Sequence, residues 1–527
     1  MAGEGVTSVR EMLHRSASYH PENEAVVDER YRYSYREMLE KVKQTAALLH
    51  SLGVRKGDRV ALMMLPSANH PLALFGAIEL GAIPAALHIR ESDQTLLELI
   101  DRLSPRVLVY DVSMEARVQS LMQQTNLVTG LVRATSGTSV DADIAAGRAP
   151  LIPDDLDNYT MDFEPMPIAA DDIALIALSS GTTGVPKGVV HTHRGLLQGA
   201  RGAVGLYGAK PTTRTLNILT TSFMAWVNVS FPIFNVGGTN VFVSAFNPGE
   251  YFKTAARERC SVLFLIPTMW RMVLRQDLDE FDLSGVERAM FAGEVMDLKT
   301  LQLLREKITP NVYNCYGTTE TGTSAGTMMF PDDLQREEKL RSIGRPLANS
   351  EVRVIEIGGT ADDELPPGEE GEILVKGPSR AVTFWNDPAK ARQVFEGPWW
   401  HSGDLGSLDE ENFLYIDGRI DDMIISGGIN MMPSTIEDAL LSHPGVSEAC
   451  VIGVANKEWG QRVSAYLVPS DAGLTVESLE QFILDSALSH YQRPRHYEFV
   501  EELPKGNGGK VDRRALKKQV EAVTVQG

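Results

Sequence analysis

The chain has 527 residues, of which 43% are apolar and 23% are charged, a composition typical of a folded protein that dissolves in water. This length is more than one hydrophobic core usually serves, so we expect at least two domains. The 50 basic and 70 acidic residues give a formal net charge of −20, which argues against a nucleic-acid-binding protein, because phosphate backbones attract basic surfaces.

Cysteine spacing and hydropathy predict a cytoplasmic protein with no integral membrane association. Cys260, Cys315 and Cys450 lie far apart and form no C-x-x-C pair, so we expect neither a disulfide framework nor a cysteine zinc site. The N-terminal stretch lacks the apolar segment of a secretory signal. The longest apolar stretch, 72–87, contains a glutamate and a proline and is too short to cross a bilayer.

The first predicted helix is marked by Ser34 and Glu37, which have the spacing of a capping box. Apolar residues then recur at helical spacing until Gly53, a residue suited to ending a helix. A buried strand is predicted over 58–65, and a second helix is predicted after Ser67. The chain therefore opens with alternating helices and strands.

Short apolar runs predict further strands at 107–110 and 173–178, and a helix is predicted over 194–206. Strands that alternate with helices imply an α/β architecture with mainly parallel strands. Residues 134–170 and 358–371 are rich in turn-forming residues and are predicted to be loops.

Beyond Gly418 the pattern restarts, with a helix predicted over 433–442 and strands predicted at 449–454 and 459–469. This second unit of about 110 residues is large enough to fold by itself. We therefore predict a large N-terminal domain at 1–418, a polar junction after it, and a small C-terminal domain.

The stretch SSGTTGVPKG, residues 179–188, follows a predicted strand and has the composition of a phosphate-binding loop. Its glycines let backbone amides approach phosphate oxygens, its four hydroxyls are donors, and Lys187 adds a positive charge. The order differs from G-x-x-x-x-G-K-[ST], because Gly188 occupies the place of the magnesium-binding hydroxyl. Magnesium would therefore need a carboxylate from elsewhere. The alternative interpretation is a surface loop made of turn residues.

This loop resembles the signature loop of the adenylate-forming superfamily, which includes acyl- and aryl-CoA synthetases, peptide-synthetase adenylation domains and firefly luciferase. The resemblance extends over nearly the whole chain, in the family's order, through GEVM at 293–296, NCYGTTE at 314–320, WHSGD at 400–404, GRIDDMIISGGINMMP at 418–433 and GGKVDR at 508–513. It implies an AMP-forming acid–CoA ligase. Such an enzyme joins a carboxylate to the α-phosphate of ATP, releases pyrophosphate, and passes the acyl group to coenzyme A.

The same resemblance implies a large N-terminal domain of several subdomains, followed by a small mobile C-terminal domain. Lys187 and the loop hydroxyls would hold the β- and γ-phosphates, Tyr316 would pack along the adenine, and Asp404 would accept both ribose hydroxyls. The full set of residues expected to bind ATP or AMP is Ser179, Ser180, Gly181, Thr182, Thr183, Gly184, Lys187, Gly293, Glu294, Asn314, Cys315, Tyr316, Gly317, Thr318, Asp404 and Arg419.

The catalytic residues implied by the resemblance are Lys510, Thr319 and Glu320. Lys510 would bridge the substrate carboxylate and the α-phosphate, Thr319 would contact the α-phosphate, and Glu320 would supply the Mg²⁺ ligand that the loop lacks. The nearby Lys505 is not followed by Val-Asp-Arg and is not expected to act.

The resemblance also implies a hinge at 419–423, where Asp421 occupies the family's hinge position, followed by a small mobile C-terminal α+β domain at 424–527. Polar residues at such a junction can absorb a large backbone rotation. By resemblance, the small domain swings after adenylation and brings Ser426, Gly427 and Gly428 to the coenzyme A tunnel. His191 and His193 follow the loop without an evident third metal ligand, so we predict that they support the loop.

The acyl pocket is where the sequence departs from the family pattern. Many acyl- and aryl-CoA synthetases carry P-x-F-H there, whereas the corresponding run 220–228 has no histidine. No acidic residue lies between Pro211 and Gly249, which disfavours amino acids, and no cation lies in 217–252, which disfavours dicarboxylates. An aliphatic, alicyclic or aromatic monocarboxylate remains. The expected pocket residues are Phe223, Met224, Trp226, Gly317 and Gly322.

Other functions share some of these motifs. An adenylate-forming enzyme could load its acyl group onto a carrier protein in trans instead of coenzyme A, and a luciferase-like oxygenase carries the same motifs. A nucleotide-binding regulator without catalysis is disfavoured, because Lys187, Glu320, Asp404 and Lys510 are all present. A homodimer is expected only by analogy with relatives.

Overall fold

The structure is a computed structural model that describes residues 5–179, 185–293, 296–323, 326–470, 473–484, 486, 488–505 and 511–525. The chain divides into two compact units. The first consists of residues 1–353, 374–401 and 411–414, and the second of residues 354–373, 402–410 and 415–527. None of the described helices has the length and apolar character needed to span a membrane.

Two large sheets, both mainly parallel, lie in the first unit and confirm the predicted α/β architecture. In spatial order the nine strands of one sheet are Arg345–Pro346, Thr327–Met329, Val312–Tyr316, Arg288–Ala292, Val262–Phe264, Arg214–Asn217, Thr239–Phe242, Glu24–Val27 and Arg32–Ser34. The eight strands of the other are Thr383–Phe384, Lys187–Thr192, Ile173–Ser179, Ile83–Ala86, Arg59–Met63, Val107–Asp111, Gly130–Ala134 and Leu151–Ile152. Parallel sheets of this kind are covered by helices on their faces.

The described α-helices are Val9–Tyr19, Tyr35–Ser51, Asn69–Glu79, Asp93–Leu103, Glu115–Met122, Asp141–Ala146, His193–Tyr207, Met224–Val236, Pro248–Arg257, Pro267–Val273, Leu298–Lys307, Pro388–Val394, Pro433–Leu441, Val476–Leu484 and Arg513–Val525. The predicted capping box is confirmed: the Ser34 side chain accepts from the Glu37 amide, and the Glu37 side chain accepts from the Ser34 amide. Two satisfied backbone donors fix the start of this helix.

The core of the first unit lies around the helix Asn69–Glu79, which is buried along its whole length. Its Phe75 ring packs against two residues of the helix Met224–Val236, with centroids 5.8 Å from Phe231 and 5.4 Å from Phe234. A helix that is apolar on all sides needs partners on all sides. This packing sets the position of the helix Met224–Val236, which we call the pocket helix because it carries the candidate acyl-pocket residues.

Among the strands that the sequence pattern did not predict, one lies at the candidate phosphate loop. Lys187–Thr192 is a strand, and it pairs antiparallel with Ile173–Ser179 so that Ser179 lies opposite Lys187. The candidate phosphate loop therefore connects two antiparallel strands, and the helix His193–Tyr207 follows only after the second of them. The short run KGVVHT is buried on both faces and shows no alternation that would mark it as a strand.

The chain between residues 351 and 419 contributes five further strands: Glu351–Ile355, Gly371–Lys376, Phe395–Glu396, Trp399–Leu408 and Leu414–Arg419. In the rest of the second unit a sheet has the spatial order Ile429–Met431, Ile424–Ser426, Gly460–Pro469 and Val446–Asn456, and His496–Phe499 also pairs with Gly460–Pro469. Its core includes Ile436, Val451, Ala465 and Leu479, all fully buried.

Candidate functional site

In the nine-stranded sheet, candidate nucleotide residues lie at the carboxyl ends of parallel strands, where open α/β sheets bind ligands. In the nine-stranded sheet Phe291 pairs with Asn314 and Ala292 pairs with Cys315. Gly293 therefore leaves its strand beside Tyr316, with a positive φ of 94°. Glu294, the next residue, lies outside the described residues. Cys315 pairs with Ala292, and burial raises the pKa of its thiol to about 12.

The base of the candidate phosphate loop is a strand pair. Ser179 ends one strand and Lys187 begins the other. The Lys187 ammonium lies 5.7 Å from the centroid of the Phe384 ring. Phe384 belongs to the edge strand Thr383–Phe384, which pairs with Lys187–Thr192. Five predicted loop residues lie outside the described part of the chain: Ser180, Gly181, Thr182, Thr183 and Gly184.

Glu320 lies beside this loop base, although the two segments are distant in the sequence. The Ser179 hydroxyl donates to Glu320 Oε1 at 3.3 Å. Burial raises the pKa of the Glu320 carboxyl, and the positive charge of Lys187 acts in the opposite direction. The structure thus brings together a hydroxyl, a carboxylate and an ammonium that the resemblance to the adenylate-forming superfamily assigns to one site.

The segment 317–322 forms a turn with several anchors. The Thr321 hydroxyl accepts from the Thr318 amide at 2.9 Å and donates to the Thr318 carbonyl at 3.0 Å. From the segment 374–401, Ser379 Oγ donates to the Thr321 carbonyl and the Ala381 amide donates to the Glu320 carbonyl. These hydrogen bonds at Thr318, Glu320 and Thr321 restrain the backbone conformation at Glu320.

Gly322 is the last residue of this turn, and its position leaves no room for a side chain. Its φ is +71°, and a Cβ atom added there would lie 2.2 Å from the Ser379 carbonyl oxygen. The Asn228 side-chain amide of the pocket helix donates to the Gly322 carbonyl at 3.4 Å. The pocket helix is therefore linked to the candidate nucleotide turn, a contact that no sequence signal indicated.

His191 supports the same turn. Its Nε2 donates to the Thr319 carbonyl oxygen at 3.0 Å, and burial lowers the pKa of the imidazole to about 4. The sequence analysis predicted that His191 supports the loop 179–188. The hydrogen bond in the structure instead goes to Thr319, on the neighbouring turn.

The pocket helix starts at a small, mainly apolar cavity of about 10 Å³, lined in part by Leu74, Ala86, Ser222, Phe223 and Met224. This volume is at the lower limit for one water molecule. Of the predicted acyl-pocket residues, Phe223 and Met224 border this cavity.

Trp226 and the two predicted pocket glycines, Gly317 and Gly322, do not line this cavity. The Trp226 indole is fully buried and packs between two rings, with centroids 5.6 Å from Phe242 and 4.5 Å from His70. Its position favours a role in core packing.

In the second unit Asp404 and Arg419 form an ion pair. Arg419 Nη1 donates to Asp404 Oδ1 and to the Ser402 carbonyl, at 2.8 Å in each case. Between these partners, Gly403 has a φ of +67°, and a Cβ there would lie 2.9 Å from Arg419 Nη2. The positive φ favours glycine at this position, and the absence of a side chain leaves room for the guanidinium.

The predicted hinge residue Asp421 lies in a 3₁₀ turn, Ile420–Asp422, with its carboxylate largely exposed. Ser426 ends a strand, and Gly427 and Gly428 form the two-residue turn of a hairpin, with φ of +58° and +80°. Two successive positive φ values are the geometry that favours glycine in such hairpins.

Lys510 lies outside the described residues. The neighbouring Lys505 is described, and its ammonium donates to Glu448 Oε1 at 2.7 Å. Among the described residues, no three His, Cys, Asp or Glu side chains are grouped as a metal centre would require.

Comparisons with known proteins show the family to which the chain belongs. Residues 13–385 match the family model of the AMP-binding enzyme, and residues 435–510 match that of the AMP-binding enzyme C-terminal domain. The chain is 30% identical to the 4-chlorobenzoate–CoA ligase of Arthrobacter sp. over 530 residues, which cover 97% of this chain and 95% of that protein. It is 28% identical to a long-chain-fatty-acid–CoA ligase of Escherichia coli, covering 97% and 94%.

Among solved structures, the o-succinylbenzoate CoA synthetase of Bacillus subtilis, in complex with an acyl-adenylate intermediate, aligns with a TM-score of 0.83 and 26% identity over 97% of this chain and 99% of that chain. The family match over residues 13–385 includes the candidate nucleotide residues of the first unit, from Ser179 to Glu320. The chain therefore belongs to the AMP-binding enzyme family and is an acyl- or aryl-CoA synthetase.

Proposed function

We propose that the protein activates a monocarboxylic acid in two half-reactions. The acid and ATP would form acyl-AMP and pyrophosphate, and coenzyme A would then displace AMP to give acyl-CoA. The observation that supports this proposal most directly is the contact of Ser179 with Glu320 beside Lys187. A carboxylate within hydrogen-bonding distance of a phosphate loop can serve as a metal ligand, while the lysine neutralises phosphate charge.

The first half-reaction brings an anionic carboxylate to an anionic phosphate, so it depends on positioning and on positive charge near the phosphorus. In our proposal Lys187 holds the β- and γ-phosphates that depart as pyrophosphate. Tyr316 and Asn314 hold the adenine, with Gly293 beside them. Lys510 contacts the substrate carboxylate and the α-phosphate.

Glu320 suits a magnesium ion that is held mainly by substrate phosphates. Mg²⁺ commonly takes one or two protein carboxylates and completes its shell with phosphate oxygens and water. The raised pKa of Glu320 reflects burial without a full ionic partner, a cost that a bound cation would remove. When bound, Mg²⁺ would neutralise charge on the phosphates. The backbone anchors around Thr318 and Thr321 would keep Glu320 in place for that task.

In the second unit we propose that Asp404 binds the ribose hydroxyls and that Arg419 orients Asp404 through their ion pair. A carboxylate accepts two hydroxyl donors readily. Asp421 would be the pivot of a domain rotation between the half-reactions, and Ser426, Gly427 and Gly428 would then face coenzyme A. The alternative acceptor remains a carrier protein.

The substrate proposal is a monocarboxylic acid with an apolar body. The described residues that line the cavity at the pocket helix include no charged side chain, so a second carboxylate would lack a partner there. The relatives act on both aromatic and long-chain acids, as their names state. Aromatic and aliphatic acids are therefore both proposed.

The proposed function is tested by measuring pyrophosphate and AMP release with ATP, Mg²⁺ and each acid of a panel, in the presence and absence of coenzyme A. Benzoate, ferulate, octanoate and palmitate cover the proposed classes. We expect acid-dependent pyrophosphate release and coenzyme A-dependent AMP release. Release of ADP instead of AMP would contradict the proposal, and AMP release that requires a carrier protein would favour the alternative acceptor.

A further inference from the structure

His88 is a buried histidine that lies at the candidate site and has no role in the function proposed above. It follows the strand Ile83–Ala86, which runs parallel to Ile173–Ser179 with Ala85 opposite Ile176. His88 and Ser179 each come three residues after this pair. Because the carboxyl ends of parallel strands meet at one edge of the sheet, His88 leaves the sheet at the same edge as Ser179, the first residue of the candidate phosphate loop.

The His88 ring packs against the start of the pocket helix. Its centroid lies 5.2 Å from that of Phe223, with the two rings tilted by 39°. Phe223 is the N-cap residue of the helix, and its side chain makes no capping hydrogen bond. The partial positive charge at a helix N-terminus favours an anion nearby. The imidazole therefore lies against a helix N-terminus that no side chain caps.

The hydrogen bonding of His88 defines which nitrogen carries its proton. The Arg90 backbone amide donates to Nδ1 at 3.1 Å, so Nδ1 is an acceptor and the neutral ring is protonated at Nε2. Burial lowers the pKa of His88 to about 4, with Arg90 adding to the effect. The ring is neutral near pH 7. Within the part of the chain that the structure describes, the hydrogen bond of the ring is the one from the Arg90 amide to Nδ1, which leaves Nε2–H as the available donor.

We propose that His88 binds the carboxylate of the acid substrate, with Nε2–H donating a hydrogen bond to one carboxylate oxygen while the acid reacts at the α-phosphate. This inference rests on the proposed function. The run 220–228 has no histidine, but Phe223 in that run contacts the imidazole of His88. A histidine that follows a different strand thus supplies a donor beside Phe223, one of the predicted acyl-pocket residues.

Other roles of His88 fit the structure less well. A general base for the thiol needs a free lone pair, but the lone pair of Nδ1 already accepts from Arg90, and a pKa of about 4 makes the ring a weak base at neutral pH. A metal ligand needs partner ligands, and none are grouped among the described residues. Donation to an oxygen acceptor is the chemistry that remains for Nε2–H.

The experiment compares wild-type protein with His88→Phe and His88→Gln in acid-dependent ATP–pyrophosphate exchange, using the best of benzoate, ferulate, octanoate and palmitate. Phenylalanine keeps a ring against Phe223 and removes the donor, whereas glutamine retains a donor near the Nε2 position. His50→Phe is the matched control, since the His50 ring also stacks on a phenylalanine, Phe163, with centroids 3.9 Å apart.

We expect His88→Phe to lower kcat/KM for the acid about 10- to 100-fold, while the KM for ATP changes less than about threefold. His88→Gln should recover most of this loss, and His50→Phe should match the wild type. If His88→Phe does not fold, the same comparison is made between His88→Gln and His88→Met. These side chains have similar length, but only glutamine has a hydrogen-bond donor.

Wild-type values for His88→Phe would overturn the inference, as would equal losses for the Phe and Gln variants or an equal rise in the KM for ATP. These outcomes leave the proposed function intact. Absence of exchange by the wild type with every acid would instead overturn the proposed function, and the role of His88 with it.

Discussion

His191 Nε2 donates to the backbone carbonyl of Thr319 at 3.0 Å and thereby joins the strand after the candidate phosphate loop to the turn that carries Glu320. The carbonyl oxygen can only accept, so the neutral imidazole carries its proton on Nε2. The pKa of His191 is about 4 in the folded protein, against about 6.5 in an unfolded chain. This difference couples the charge of His191 to stability.

His191→Gln should make the protein less sensitive to acid. The unfolded chain binds a proton on His191 below about pH 6.5, whereas the folded protein does so only near pH 4, so this site loses stability as the pH falls through that window. Glutamine keeps an amide donor and does not titrate. We expect the wild-type Tm to fall more than the variant's between about pH 7 and pH 5. Parallel declines of the two Tm values would contradict this assignment.

Glu320→Gln should increase stability and reduce activity. Because burial raises the pKa of the Glu320 carboxyl, ionising it costs folding free energy, and this cost appears as the pH rises above about 4.3, the unfolded value. We expect a higher Tm for the variant at pH 7 and no difference at about pH 4. The Mg²⁺-dependent exchange rate should fall at least about 10²-fold, since metal neutralisation of phosphate charge is worth several kcal/mol.

Glu411→Gln is the control for that Tm measurement. The Glu411 carboxylate pairs with Arg336 at 2.8 Å and Lys339 at 2.9 Å, and these cations lower its pKa to about 2. Removing its charge is therefore not expected to raise the Tm at pH 7. A Tm increase in both variants would show that the effect does not come from the burial of Glu320.

Lys510→Ala should abolish most adenylation, and Lys505→Ala should not. Loss of one preorganised donor at a developing charge costs about 10²–10³ in rate. Lys505 is a matched control five residues away, and its ammonium is bonded to Glu448. The measurement is ATP–pyrophosphate exchange with a saturating acid. Exchange by Lys510→Ala within about tenfold of the wild type would rule out the proposed role of this lysine.

Asp404→Asn should raise the KM for ATP about 10- to 100-fold, because an amide replaces the carboxylate that would accept both ribose hydroxyls. The Asp404–Arg419 pair should also weaken, since the ionic component of the 2.8 Å hydrogen bond is lost. Asp409→Asn is the control in the same unit, where Asp409 accepts from the Tyr415 hydroxyl at 3.1 Å. Similar KM values for ATP in both variants would count against a ribose contact by Asp404.

The sequence alone predicted the features that depend on neighbouring residues. The capping box at Ser34 and Glu37 spans one helical turn and needs no contact from elsewhere in the chain. The order of the motifs also predicted the family, because six short stretches of unusual composition occur in the family's order and at spacings compatible with it. The strand Lys187–Thr192 was not predicted, since a run buried on both faces lacks alternation.

Only the tertiary structure decided which distant residues share a site. His191 and Thr319 are separated by 128 positions, and Ser179 and Glu320 by 141, and no local pattern links either pair. His88 lies near Phe223 because parallel strands end at one sheet edge and helix packing brings the pocket helix to that edge. Local backbone preference is encoded residue by residue, whereas contacts between elements depend on burial of their apolar faces, which is settled only when the whole unit packs.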